Sequence, residues 1–275
     1  MKRGMVYSLL VFVFVLILLG SLSKGEVYKS PSDNLNMGGK LIIAHRGASA
    51  YEKDNSYEAF DKAVEMKADF MEFDVRKTQD GVYAVIHDDS VNEEKISDLS
   101  YEELKTASGF EVPILENVLK KYKSKIKFDI ELKEEGYEKE VLDLILEELK
   151  TEDFMITSAK LDSLKKIKEF NSKIKLGLVL LKGIGGIGLL KERLGFSKVV
   201  KDSIDFCVEN GFEYFIPDYR YLNKASLEYA KEKKISVLVW SIKDKNHMEK
   251  LFSEEVIEGI ITNKPDVASG VRESL

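Results

Sequence analysis

From residue 41 to residue 262, short apolar or alternating runs recur along the chain, and most are followed by a stretch whose apolar positions repeat at helical spacing. The runs at 41–45, 70–75, 82–87, 126–133, 154–157, 175–181, 214–217, 235–241 and 259–262 are predicted strands. Helical patterns fall at 56–66, 138–149, 161–170, 226–233 and 245–252. Strand and helix in alternation imply a parallel sheet covered by helices. The run 82–87 follows Asp80-Gly81 and reads as a hairpin extension of the second strand, which leaves eight strand–helix units over residues 41–275. Eight units in that length predict an α/β (β/α)8 TIM barrel, with an open doubly wound sheet as the alternative. No fixed-period repeat is visible.

Two of these runs break the rule for buried parallel strands, which usually read as continuous Val, Ile and Leu. In Met71-Glu72-Phe73-Asp74-Val75 the alternation puts Glu72 and Asp74 on one face. In Phe128-Asp129-Ile130-Glu131-Leu132-Lys133 it groups Asp129, Glu131 and Lys133. Charges on an inner face need partners. An edge strand with one wet face is one account; carboxylates in a barrel mouth, neutralised by a hard cation, is the other and the one favoured here.

Histidine is scarce, and two of the three histidines close predicted strands. His45 ends 41–45 and His87 ends 82–87, while His247 lies in a polar helical stretch and is expected at the surface. Strand C-termini build the active sites of parallel α/β folds, and paired imidazoles can divide acid and base roles near neutral pH.

Residues 1–24 concern address rather than fold. Lys2 and Arg3 precede a run without charge from Gly4 to Leu22, which reads as a signal peptide or membrane anchor helix. Residues 25–40 read as a linker and 41–275 as the barrel domain. The barrel is therefore expected outside the cytoplasm, secreted or membrane-anchored through the N-terminal segment if that segment is uncleaved. The 42 basic and 48 acidic side chains leave a net charge of −6, which argues against a nucleic-acid partner. A single cysteine, Cys207, excludes an internal disulfide framework and a Cys-rich zinc site, and is expected to pack as a small apolar group. The run at 183–188 formally contains GxGxxG, but it follows the sixth strand, so a mouth loop touching lipid is preferred to a dinucleotide site.

The runs His45-Arg46-Gly47, Asn55-Ser56, Ala59-Phe60, Ala68-Asp69, Glu72-Phe73-Asp74-Val75, Asp80-Gly81 and His87-Asp88 together resemble the glycerophosphodiester phosphodiesterase family. Val112-Pro113-Ile114-Leu115-Glu116, Glu131-Leu132-Lys133, Val239-Trp240-Ser241 and Thr262-Asn263-Lys264-Pro265-Asp266 continue the likeness in order. The resemblance implies a TIM barrel that hydrolyses glycerophosphodiesters to glycerol 3-phosphate and an alcohol. It implies Glu72, Asp74 and Glu131 as ligands of one divalent cation, Ca²⁺ or Mg²⁺, and His45 and His87 as the catalytic acid/base pair. Arg46 and Lys133 would contact phosphate, and Trp240 and Asn55 would complete substrate binding. The substrate would be a small or lipid-derived phosphodiester. A phospholipase-D-like cleavage of lysophospholipids or sphingolipids is the alternative, and a non-catalytic surface binding protein a third.

Two departures from the family pattern stand out. Lys53-Asp54-Asn55-Ser56 replaces Pro-Glu-Asn-Thr, so the shorter Asp54 is expected to reach the site through water, and Asn55 could equally cap the next helix with Glu58. Asn263 stands where Asp is usual, removing one negative charge from the mouth, and activity is expected to survive it.

Overall fold

The structure is a computed structural model that describes residues 39–180 and 198–275. The predicted leader and linker, apart from Gly39 and Lys40, and the run 183–188 lie outside the described residues. Among the described residues no helix is long and apolar enough to cross a membrane.

Eight parallel strands close into a barrel: β1 (Leu41–Ala44), β2 (Phe70–Lys77), β6 (Lys127–Leu132), β7 (Phe154–Ser158), β8 (Lys175–Leu180), β9 (Tyr214–Pro217), β10 (Ser236–Val239) and β11 (Ile257–Thr262). Closure comes from β1, which pairs with β11 on one side (Ala44 opposite Thr262) and with β2 on the other (Ile43 opposite Phe70). The predicted closed barrel therefore holds over the open-sheet alternative. The run near 82–87 forms β3 (Tyr83–Val85), antiparallel to β2 with Val75 opposite Val85, as a hairpin extension. Gly81, at φ 87°, makes that turn possible, a region open to glycine without a Cβ penalty.

Helices α1 (Tyr57–Glu65), α3 (Leu115–Tyr122), α4 (Glu138–Glu148), α5 (Leu161–Phe170), α6 (Lys198–Glu209), α7 (Lys224–Lys233), α8 (Lys245–Phe252) and α9 (Pro265–Glu273) form the outer ring. The helical patterns did not mark α3, α6, α9 or the insert after β3, which holds the hairpin β4 (Ser90–Val91) and β5 (Glu94–Lys95) and helix α2 (Tyr101–Ser108). The insert's signals are local ones: Asn92 and Glu93 both take positive φ in a tight turn, and Ser100 and Glu103 form a capping box that starts α2.

Outward-facing residues of the strands make the main core. Phe73 of β2 sits between Phe60 of α1 and Phe128 of β6, with centroid separations of 5.9 and 6.0 Å. Each fully buried aromatic of this kind stabilises by about 1.5–3 kcal/mol through burial alone. Cys207 packs in this core as expected. Away from the mouth, Asp69 ties the seam together: it accepts from the Ile42 amide at 2.7 Å and pairs with Arg272 of α9. His247 is exposed, as expected.

Candidate active site

Neither acidic strand is an edge: β2 pairs with β1 and β6, and β6 with β2 and β7. The register sets Glu72 beside Asp129 and Asp74 beside Glu131, so the alternating acids of both strands point into the barrel as two layers. Glu72, Asp74 and Glu131 each offer an oxygen within 4.8 Å of the others'. Glu72 and Asp74 are buried, and Glu131 nearly so.

The loop after β1 holds this cluster from above. Arg46 adopts φ 54°, a left-handed conformation unusual for a residue with a side chain, and its amide donates to Glu72 Oε2 at 2.6 Å. Asn55, at φ 55°, donates its own amide to the Arg46 carbonyl at 3.1 Å and its side-chain Nδ2 to Asp74 Oδ2 at 2.8 Å. The helix-capping role considered for Asn55 belongs instead to Ser56, whose hydroxyl accepts from the Ala59 amide at 3.1 Å. The reason is backbone geometry: an N-cap needs the extended φ that Ser56 has and Asn55 lacks. Asp54 also departs from expectation, meeting Arg46 Nη1 directly at 3.1 Å rather than through water. Gly47, at φ 78°, lets this loop lie against α1, since a Cβ there would come within 2.6 Å of the Ala59 backbone.

Charge balance at the cluster is uneven. Lys133 Nζ lies 2.8 Å from Glu131 Oε1 and 3.3 Å from Asp74 Oδ1, and Arg46 Nε lies 3.4 Å from Asp74 Oδ2. Burial alone would raise the Asp74 pKa, but Lys133 and Arg46 outweigh it and hold it low. Glu72 is pushed well above the usual carboxylate range, first by burial and then by Asp74, Glu131 and Asp129. Glu131 is raised by burial despite Lys133. Burial opposes the charges of Lys133 and Arg46, yet the carboxylates prevail and raise both. Glu72 Oε1 is buried with no hydrogen-bond partner among the described residues. An orphaned carboxylate oxygen amid two further acids is the donor pattern a hard cation satisfies. These three residues could hold a metal ion.

Below them, Asp129 accepts from the Thr157 hydroxyl at 2.7 Å, and burial pushes it up to about 8. The alternation groups Asp129 with the carboxylates a cation would neutralise, whereas the structure sets it a layer below the trio, bonded to Thr157.

Both strand-end histidines line one cleft together with Arg46, Glu72, Glu131, Lys133 and Trp240. His45 still joins the ladder, its amide donating to the Thr262 carbonyl at 2.9 Å, and its Nδ1 meets Asn263 Oδ1 at 2.9 Å. Burial, then Arg46, push its imidazole down to about 4. His87 is partly exposed and its Nδ1 lies 2.8 Å from Asp88. Its carbonyl accepts from Arg76 Nε at 2.9 Å, and Arg76 is itself held by Glu134 at 2.6 Å. Trp240 completes the wall, its indole N–H buried and without a partner among the described residues. The residues singled out from sequence thus all stand at one mouth, seven lining the cleft and Asp74 and Asn55 bonded to them. Asp54, Asp88 and Asn263 support them from loops through direct contacts with Arg46, His87 and His45.

Cations for an anionic group, acids for a metal and imidazoles for protons at the C-terminal mouth of a barrel define a site for phosphate-ester chemistry. The chain belongs to the Glycerophosphoryl diester phosphodiesterase family, whose sequence model matches residues 45–267. It is 29% identical over 246 residues to the Bacillus subtilis protein YhdW, covering 82% of this chain and 95% of that one. It is 27% identical over 254 residues to the glycerophosphodiester phosphodiesterase of Caldanaerobacter subterraneus, again covering 82% and 95%. The fold matches a crystal structure of glycerophosphodiester phosphodiesterase from Thermotoga maritima, with TM-score 0.71, 23% identity and coverage of 86% and 100%. It also matches an Oleispira antarctica phosphodiesterase in complex with the product sn-glycerol 3-phosphate, with TM-score 0.69, 17% identity and coverage of 88% and 99%.

Proposed function

We propose that this protein hydrolyses glycerophosphodiesters to glycerol 3-phosphate and an alcohol, with His45 and His87 as its proton-transfer pair. The observation that carries the reading is the buried Glu72–Asp74–Glu131 trio set beside Arg46, Lys133 and both imidazoles at one mouth. Family membership supports the same reaction. The all-oxygen trio suits Ca²⁺ or Mg²⁺ better than a soft metal. When bound, such a cation stabilises negative charge developing on phosphoryl oxygens.

The chain's own residues do the rest. Arg46 and Lys133 are charged over the whole working range and flank the acids, where they orient and neutralise the phosphodiester. Trp240 has an indole N–H free to donate to a phosphate or glycerol oxygen. Asn55 bonds Asp74 and the Arg46 carbonyl, fixing the ligand carboxylate and the loop from the rim of the mouth. His45, neutral because burial disfavours its charged form, takes a proton from the attacking oxygen. His87, its ring oriented by Asp88 at Nδ1, gives a proton to the leaving oxygen. In the net reaction the P–O bond to the alcohol breaks, one water supplies the new P–O bond, and each product keeps one of its hydrogens.

The basic stub and apolar run before residue 24 support export or membrane anchoring, which would place the barrel among lipid-derived diesters outside the cytoplasm. The test is glycerol 3-phosphate release from glycerophosphocholine in the presence of Ca²⁺ or Mg²⁺, run beside choline release from lysophosphatidylcholine. Release of glycerol 3-phosphate that disappears with chelator, and falls by about 10²–10⁴ in His45→Ala, is expected. Choline release from the lysolipid alone would favour the phospholipase-D-like reading, and unchanged turnover in His45→Ala would remove the proton-transfer assignment.

A further inference from the structure

The substrate has two arms on phosphorus, and the described residues frame two spaces at the mouth. Besides the cleft that holds the acids, a second cavity opens between the loop before α1, the end of β3 and the insert that follows it. Among the described residues, His87 alone lines both spaces. In the reading above, His87 delivers the proton to the departing oxygen, so the departing arm must extend from the ring into a space His87 borders. The first cleft is filled with the groups that handle phosphate. The second holds none of them.

The walls of that second cavity describe its occupant. Ser108 Oγ is buried there with no hydrogen-bond partner among the described residues, a costly state for a hydroxyl unless a ligand supplies one. Ser90 and the exposed carboxylate of Asp88 add further polar groups, and Ile86 and Val91 add aliphatic surface. Phe110 contributes the aromatic face. That face is already covered, because the Lys53 ammonium lies 4.4 Å from the ring centroid. A quaternary ammonium would seek such a ring, but here it meets a like charge. Of the two acids on the cavity walls, Asp54 is neutralised by Arg46, and Asp88 is 80% exposed, where water and salt screen its charge.

We propose that this cavity receives the leaving alcohol and selects an uncharged, hydroxylated one, such as a polyol or cyclitol, over a quaternary-ammonium alcohol. The inference rests on the hydrolytic reading and on the role of His87 in it. Vicinal hydroxyls would satisfy Ser108 and reach Ser90 and Asp88, while their C–H faces pack on Ile86 and Val91.

The experiment compares kcat/KM for glycerophosphoinositol, glycerophosphocholine and glycerophosphomethanol, whose departing arm is too small to reach the walls. The wild-type protein is expected to favour glycerophosphoinositol over glycerophosphocholine by about tenfold. Lys53→Gln, at an exposed position outside the catalytic groups, is expected to narrow that ratio by raising the choline substrate. Ser108→Ala is expected to lower glycerophosphoinositol turnover about five- to tenfold while leaving glycerophosphomethanol unchanged. Equal turnover of the two large substrates, a ratio unmoved by Lys53→Gln, or a uniform loss across all three substrates in Ser108→Ala would each overturn the inference while leaving hydrolysis intact. No turnover of any of the three by the cation-loaded wild type would instead remove the hydrolytic reading, and this inference with it.

Discussion

His45 Nδ1 lies 2.9 Å from the side-chain oxygen of Asn263, a residue 218 positions away in the chain. An amide oxygen only accepts, so Nδ1 carries the hydrogen and Nε2 is the basic nitrogen of the neutral ring. Asn263 therefore fixes the tautomer that the proposed general base needs, without the negative charge that an aspartate there would add.

Asn263→Asp is expected to raise the imidazole pKa, because a carboxylate at Nδ1 favours the charged ring. Arg46, Asp74 and His87 are the other charged or titratable groups acting on it, and burial together with Arg46 now holds it at about 4. Since the base works when neutral, the acidic limb of kcat/KM should move to higher pH by about one unit or more. Asn263→Leu should lower kcat about 10- to 100-fold by leaving the ring without its acceptor. A pH–rate profile decides the matter: an unmoved acidic limb in Asn263→Asp would mean that the residue merely packs.

The acid trio predicts a pH-dependent response to metal. Glu72 and Glu131 hold their protons to higher pH when folded than when unfolded. Without a cation, stability is therefore lost as pH rises from the ordinary carboxylate range through their raised values, with Asp129 extending the window to about 8. Asp74 works the other way, since its pKa is held low and its contribution is lost on acidification. A cation relieves the repulsion among deprotonated acids, so Ca²⁺ or Mg²⁺ should raise Tm more at about pH 8 than at about pH 5. Thermal unfolding with cation and with chelator at both pH values measures this. An equal shift at the two would contradict the carboxylate assignment.

Gly47→Ala is expected to destabilise the fold by about 2–4 kcal/mol. Its Cβ would meet backbone rather than a yielding side chain, and φ 78° disfavours any L-residue. Because the same turn carries Arg46 onto Glu72, activity should fall further than the loss of folded protein explains. Denaturant melts and kcat measured on the folded fraction separate the two effects.

The inward-pointing acids were legible because alternation is a property of the chain alone: Glu72 with Asp74, and Asp129 with Glu131, share a face wherever those residues form strands. His45 and His87 were legible because strand ends mark the mouth of a parallel fold. Local sequence also carries the capping of α1, although the choice between Asn55 and Ser56 waited on a left-handed backbone that no pattern announces. The hydrogen bond between His45 and Asn263, by contrast, exists because the last strand returns to pair with the first, Ala44 opposite Thr262. The pinning of His87 by Arg76, itself held by Glu134, depends likewise on β2 lying beside β6. Side-chain periodicity is written into neighbouring residues, whereas the partner of a loop residue is fixed only when strands from opposite ends of the chain meet and the barrel closes.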